Sequence, residues 1–352
     1  EGEQGYPLIT VATADEIHAT SVEPSPTNLV GDIQLFNEEE RPLSTLLDEL
    51  LDEGGCALVI CNTIGRAQAT YSHLAEMYGE CVELHHAGFV AWERAEKEDS
   101  LRQKLGPDAH RGAGRPWRKI VVATQVAEQS LDIDADVLIT DIAPIDLLIQ
   151  RIGRLHRHAR PETDRPRRLR EPKIFVRGVL QKDPVPEFDS GAEAIYGRAI
   201  LMSTLAVLPE KFRRPEDTAK LVAEAYNPDF KPPAPWLEAW TEAEDERRHG
   251  EATAHLKSTD YRLPDPRHGL QFKALFERLV DDSERSAGEG GAAQVRDIEP
   301  SVEVIPIIAT DYGYRPWSWN SEVLDGGEIS YKLALHLASS TVRLPGRMTR
   351  YG

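Results

Sequence analysis

Leu43, Leu47, Leu50 and Leu51 recur at helical spacing, and an unbroken apolar run, Ala57-Leu-Val-Ile60, follows between Gly54-Gly55 and Asn62. The first pattern predicts an amphipathic helix. The second predicts a buried strand, because a strand covered on both faces has no polar positions to show. Ala67, Tyr71, Leu74 and Tyr78 mark a second helical stripe, with Thr63 placed to cap its start. A strand over Cys81 to Leu84, a helix over roughly 90–105, strands at Ile120 to Ala123 and Val137 to Thr140, and a helix from Ile145 to Ile152 come next. Residues 173–180 read as a last strand. Strands alternating with helices in this way imply an α/β fold, a parallel sheet with helices on both faces.

The flanks have a different texture. Residues 1–42 hold one short apolar run, Leu8 to Ala12, and then Pro24 and Pro26 with little periodicity, as a leading strand and a connector would. The sheet-forming pattern occupies 43–185, interrupted at 106–118 by a Gly- and Pro-containing loop. Residues 186–282 read as a helical linker or accessory region, with one helix near 191–207 and acidic helical sequence near 236–257. The small-residue stretch Ser283 to Gly291 then opens a small mixed α+β domain over 283–352, with apolar runs at Val302 to Ile308 and Leu333 to Leu337.

Composition narrows the function. Of 352 residues, 41 are Lys or Arg and 59 are Asp or Glu, a formal charge of −18 that weighs against coating nucleic acid through bulk positive charge. Against that background nine cations between Arg151 and Lys173 face only Glu162, Asp164 and Glu171, so one stretch is locally basic. Cys56, Cys61 and Cys81 are too few for a disulfide framework or a four-thiolate zinc site, and read as reduced thiols in a cytoplasmic protein. The histidines show no metal-ligand spacing, and no apolar stretch reaches the roughly 18 residues of a membrane span. The chain starts at Glu1 without methionine, as a piece of a longer protein would.

Two segments carry candidate chemistry. In Gln150-Arg-Ile-Gly-Arg-Leu-His-Arg157, a helix continuing through the segment would project Arg154 and Arg157 from one face, with Gln150 a turn earlier and Gly153 allowing close backbone approach. Two planar cations aimed at one point suit a transferring phosphoryl group, whose charge must be stabilised in the transition state. Upstream, the apolar strand Val121 to Ala123 runs into Thr124-Gln125 and then a short helix leading to Leu131-Asp132. Ligands of open parallel sheets gather at the carboxyl ends of strands, where Thr124 would sit. Each segment alone also fits a solvated basic helix face, or a strand, turn and helix whose polar residues merely cap.

Together the two segments resemble motifs five and six of superfamily-two helicases, in the second RecA-like domain. Ala123-Thr-Gln-Val-Ala-Glu-Gln-Ser-Leu-Asp-Ile-Asp134 and Asp141 to His158 resemble the CRISPR-associated helicase-nuclease of type I systems more closely still. Gln129 and Ser130 stand where general helicases carry Arg and Gly, which points to the CRISPR branch. Cys61 to Gln68 resembles motif four, and His85-His-Ala-Gly-Phe89 the family motif after it, with Gly88 where that family usually has Arg. The resemblance spans roughly residues 55–180. It implies arginine fingers at Arg154 and Arg157, nucleotide sensing by Gln150, and a ribose or linking contact by Asp132. It also implies a single-stranded DNA track at Thr63, His86, Thr124 and Gln125, an ATP and magnesium requirement, and docking on an RNA-guided surveillance complex.

A helicase must also hold phosphates in a Gly-rich loop ending in Lys and bind magnesium through an acidic motif. No Gly-Lys dipeptide occurs, and Asp15-Glu-Ile-His18 is a chance likeness of the acidic motif with too little sequence before it. No His-Asp dipeptide marks a nuclease domain either. The resemblance therefore implies the C-terminal part of such a protein, inactive alone, with magnesium held by an N-terminal half. Two other readings remain at this level: a non-catalytic module that docks on the surveillance complex or an inhibitor, and the second half of an RNA helicase.

Overall fold

The unbroken apolar runs pair edge to edge in the computed structural model, which describes residues 7–23, 28–128, 131–258, 301–311, 313–317 and 329–349. The chain divides into two compact units, residues 1–240 with 304–342, and residues 241–303 with 343–352. The first opens with a hairpin, β1 (Leu8–Ala12) and β2 (Ile17–Ser21), followed by β3 (Leu29–Leu35), α1 (Leu43–Leu50), β4 (Gly55–Ile60), α2 (Ile64–Tyr78), β5 (Val82–His85) and α3 (Ala91–Leu105). A two-residue pair, β6 (His110–Arg111) and β7 (Gly114–Arg115), precedes β8 (Arg118–Ala123), β9 (Val137–Asp141), α4 (Ile145–Ile152) and β10 (Lys173–Arg177). The short pair β11 (Val179–Gln181) and β12 (Glu187–Phe188) leads to α5 (Ser190–Tyr196), α6 (Arg198–Val207), β13 (Lys211–Arg214) and α7 (Glu216–Ala225).

Among the described residues, seven strands form one sheet in the order β13-β3-β10-β9-β4-β8-β5, parallel except for the antiparallel edge strand β13. All six residues of β4 are buried, as a central strand with covered faces requires. Ala57, Val59 and Cys61 pack with Leu46, Leu47 and Leu50 of α1 and with Ala67 and Leu74 of α2. The alternate residues Cys56, Leu58 and Ile60 are buried toward the opposite face. The parallel sheet with helices on both faces is thus the observed fold.

Four elements differ from the sequence reading. The sheet takes β3 from within residues 1–42, so that segment is more than a leading strand and connector. Residues 173–180 do not supply the last strand, because β13 follows and pairs with β3. The helix read near 191–207 is two helices, broken at Gly197 with φ +81°, a conformation that favours glycine. Finally α4 ends at Ile152 with Gly153 as its C-cap at φ −60°, so Arg154 and Arg157 lie beyond the helix, not on its face. Asp15 to His18 belongs to the exposed turn and second strand of the β1–β2 hairpin.

Further along the first unit, Ile307–Thr310 and Gly313–Pro316 pair as a hairpin, and the helix Tyr331–Ser339 is capped by Ser330, whose hydroxyl accepts from the amide of Leu333 at 3.2 Å. The amide of Ala91 at the start of α3 donates to the carbonyl of Thr341 at 3.3 Å. The second unit includes most of the helix α8 (Leu237–Ser258) and most of the paired strands Ser301–Val304 and Val342–Pro345. Ser283 to Gly291 lies outside the described residues, as do Gln129 and Ser130.

Candidate functional site

The carboxyl ends of β4, β8 and β5 bring Thr63, Thr124, Gln125 and His86 to one edge of the sheet. Thr63 caps α2, its hydroxyl accepting from the amide of Arg66 at 3.1 Å. The amide of Thr124 donates to the carbonyl of His85 at 3.0 Å, and the Gln125 side-chain amide donates to the carbonyl of Asn62 at 2.8 Å. Thr63 and Gln125 are half-buried and present surface, whereas Thr124 and His86 are buried. The His86 ring stacks on Phe89 with centroids 4.3 Å apart, and Lys97 Nζ lies 4.6 Å from the Phe89 centroid. Burial, then Lys97 and His85, push the His86 pKa down, which favours the neutral ring.

Asp132, Arg154 and Arg157 gather elsewhere, beside the amino-terminal approach to β9, where the amide of Ala135 donates to the carbonyl of Arg154 at 2.9 Å. Arg154 donates through Nε to the carbonyl of Ala127 at 3.0 Å and through Nη2 to that of Glu128 at 2.6 Å. Arg157 pairs through Nε with Asp132 Oδ1 at 2.5 Å, and its amide donates to Asp134 Oδ1 at 2.8 Å. Burial and the neighbouring Arg157 lower the Arg154 pKa. The Arg157 hydrogen bond is the main reason the Asp132 carboxyl sits below its usual range. Arg214 is lowered by burial and then by Arg157, which puts a third guanidinium within electrostatic reach. Gln150 is exposed on the last turn of α4.

Buried groups absent from the sequence reading of the site join these two clusters. Arg151 is fully buried and donates to Glu128 Oε1 at 2.7 Å, Thr140 Oγ1 at 2.8 Å, the Asp141 carbonyl at 2.9 Å and Asn62 Oδ1 at 3.1 Å. Asp141 in turn accepts from the amide of Asn62 at 2.8 Å and pairs with Arg177 Nε at 2.7 Å and Arg66 Nε at 3.1 Å. Arg151, Asn62 and Glu128 lie inside the quoted motif stretches, but the sequence reading gave none of them a role.

The basic run itself is largely neutralised. Arg160 pairs with Asp134, and Arg165 pairs with Asp134 at 2.9 Å and Asp136 at 2.5 Å, all buried. Arg167, Arg168 and Arg170 pair at the surface with Glu53, Asp52 and Glu162. A stretch that is basic in sequence is therefore not a basic groove, because most of its partners come from elsewhere in the chain. Cys56 and Cys61 are buried and free, and burial pushes the Cys56 thiol up to about 12. Among the described residues no helix is long and apolar enough to cross a membrane.

Comparison with known proteins follows the same lines. Residues 53–160 match the family model described as CRISPR-associated nuclease/helicase Cas3, C-terminal, and residues 296–352 match the Cas3 C-terminal domain. A CRISPR-associated nuclease/helicase Cas3 of Streptococcus thermophilus is 34% identical over 98% of this chain and 37% of its own length. One of Thermus thermophilus is 36% identical over 67% of this chain and 25% of its own. A crystal structure of a CRISPR-associated protein superposes with a TM-score of 0.79 at 30% identity, over 97% of this chain and 38% of that one. T. fusca Cas3–AMPPNP shares the fold, with a TM-score of 0.76 at 23% identity over 98% of this chain and 40% of that one. The chain thus spans well under half the length of these relatives. By sequence similarity and shared fold, it belongs to the Cas3 helicase-nuclease family and corresponds to the C-terminal portion of its members.

Proposed function

We propose that this chain is one wall of the nucleotide cleft and one half of the DNA track in an ATP-dependent single-stranded DNA translocase that degrades foreign DNA in type I CRISPR interference. The observation that carries the reading is that Thr124 and Gln125 of the track and Asp132 of the nucleotide side lie on one continuous segment, whose Ala127 and Glu128 carbonyls hold Arg154. Arg154 and Arg157 supply charge to the terminal phosphates as these part in the transition state, and Asp132 aims Arg157. Thr63 and Gln125 offer hydrogen-bonding groups to the DNA backbone, which suits movement independent of sequence.

The donor set fits a nucleotide's phosphates. Magnesium, which would neutralise phosphate charge, falls to the N-terminal half that carries the phosphate-binding loop. Relatives crystallised as T. fusca Cas3 with AMPPNP, ADP or ATP, and one in an RNA-guided surveillance complex, agree with a nucleotide-driven motor and with that partner.

The test is ATP hydrolysis with single-stranded DNA, for this chain alone and mixed with a separately expressed N-terminal half. Activity should arise only in the mixture and fall by about 10³ or more with Arg154→Ala. DNA-stimulated hydrolysis by the chain alone, or full activity in the Arg154→Ala mixture, would overturn the reading.

A further inference from the structure

Asn62 sits between Cys61 at the end of β4 and Thr63 at the cap of α2, and every polar group it has is engaged. Its amide donates to Asp141 Oδ2 at 2.8 Å and its carbonyl accepts from Gln125 at 2.8 Å. Its side-chain nitrogen donates to the carbonyl of Ile142 at 2.8 Å, and Oδ1 accepts from Arg151 Nη2 at 3.1 Å. Only 4% of Asn62 is exposed, so these bonds are not shared with water. Arg151 then carries the link onward: its Nε donates to Glu128 Oε1 at 2.7 Å, and the carbonyl of the same Glu128 accepts from Arg154 Nη2 at 2.6 Å. One path from Gln125 to Arg154 is thus four short polar contacts through groups that a low-dielectric interior holds at fixed length; beside it the Glu128 amide donates to the Gln125 carbonyl at 3.0 Å, and Tyr196 Oη lies 3.4 Å from Gln125 Nε2 and 3.3 Å from Arg151 Nη2.

A buried asparagine is an unusual choice for this position unless both ends of its amide are needed. Apolar residues would fill the same space without two desolvated polar groups, and a serine or threonine cannot reach Arg151 and the Ile142 carbonyl at once. The two ends serve different neighbours: the nitrogen fixes the side chain to the strand end after β9, and the oxygen fixes Arg151, which belongs to α4. Gln125 thus meets Asn62 at its backbone carbonyl, and Arg151 meets it at its side chain.

Resting on the reading of Gln125 as track and Arg154 as finger, we propose that Asn62 is a positioning residue that couples single-stranded DNA on the track to the placement of Arg154, acting through Arg151 and Glu128. It touches neither DNA nor nucleotide. Its contribution is to the transmission between the two clusters, so its loss weakens their coupling and leaves each in place.

The experiment uses this chain and a fluorescent oligo-deoxythymidine, with affinity read by anisotropy and backbone amide exchange read over residues 131–135 and 153–157. In the unaltered chain, DNA should slow exchange in those segments by about fivefold or more, the scale of an ordinary coupling between sites. Asn62→Ala keeps the carbonyl that Gln125 uses, so it should bind the oligonucleotide within about threefold of the unaltered chain and show that slowing cut to about twofold or less. Asn62→Ser, a milder change, should give a partial loss, and serves in place of the first variant if thermal melting shows that one to be unfolded. Slowing equal to that of the unaltered chain in either folded variant overturns the proposal, as does DNA binding by the unaltered chain with no slowing at all. Failure of the unaltered chain to bind the oligonucleotide would remove the track reading and this inference with it, a result distinct from binding without transmission.

Discussion

Arg151 has no solvent exposure, and the carboxylate that balances it is Glu128, 2.7 Å away. Glu128→Gln keeps the shape of the pair but leaves a charged guanidinium in the interior, which should cost about 3–5 kcal/mol in urea unfolding; a loss below about 1 kcal/mol would mean that water reaches the pair. His156 gives a second prediction. It occupies a left-handed conformation at φ 44°, and burial, then Arg165, push its pKa down to about 4. The unfolded chain binds a proton on this ring below about pH 6.5, which the folded chain refuses until about pH 4, so stability falls as pH drops through that window. His156→Asn tolerates the left-handed backbone and removes the proton site. The variant should lose on the order of 2 kcal/mol less than the unaltered chain between pH 7 and pH 4.5; equal losses would show another group to be responsible. At this scale the sequence singled out Arg154, Arg157 and Asp132 within a short stretch of chain, and the structure pairs Arg157 with Asp132 at 2.5 Å although neither arginine lies on a helix face. The pairings of Arg160 and Arg165 with Asp134 and Asp136 were illegible, since they arise only when the loop after α4 folds back over the approach to β9.

Among the elements, α2 depends on its cap. Thr63→Ala should lower stability by about 1 kcal/mol and Thr63→Ser should leave it nearly unchanged, by thermal unfolding, because serine retains the acceptor for the Arg66 amide. A matching loss in both would place the effect in the methyl group and not in the cap. The central strands were readable from unbroken apolar runs, but β3 was not. Its inward residues are Leu29, Gly31 and Ile33, and Gly31 carries no side chain because Ile174 of β10 fills the place, its Cδ1 only 2.7 Å from where a Cβ would be. A glycine used for packing looks, in sequence, like a break in the pattern. Strand β13 was missed for a related reason: as an edge strand it buries Phe212 alone among Lys and Arg, and the cations guard an edge that would otherwise invite pairing.

For the whole molecule, pairing decides which charges a nucleic acid feels. Arg167, Arg168 and Arg170 lie at the surface but already face carboxylates. Replacing all three by alanine should therefore leave the slope of log affinity against log salt for an oligonucleotide unchanged within about one unit. A fall of two units or more would show that they reach phosphates despite their partners. The family was legible because two short motifs carry it; the strand order was not, because it depends on residues far apart in the chain. That order governs how the molecule is made. β3 lies between β10 and β13, so the earliest strand of the sheet has no neighbour until residues 173–177 are synthesised, and no cover on its other side until residues 211–214 follow. On the ribosome β3 must wait through more than a hundred residues of synthesis. Contacts so distant in sequence make closure of the sheet a late and slow event, and a chain interrupted before Lys173 would carry β3 as an unpaired ribbon, open to chaperones and proteases.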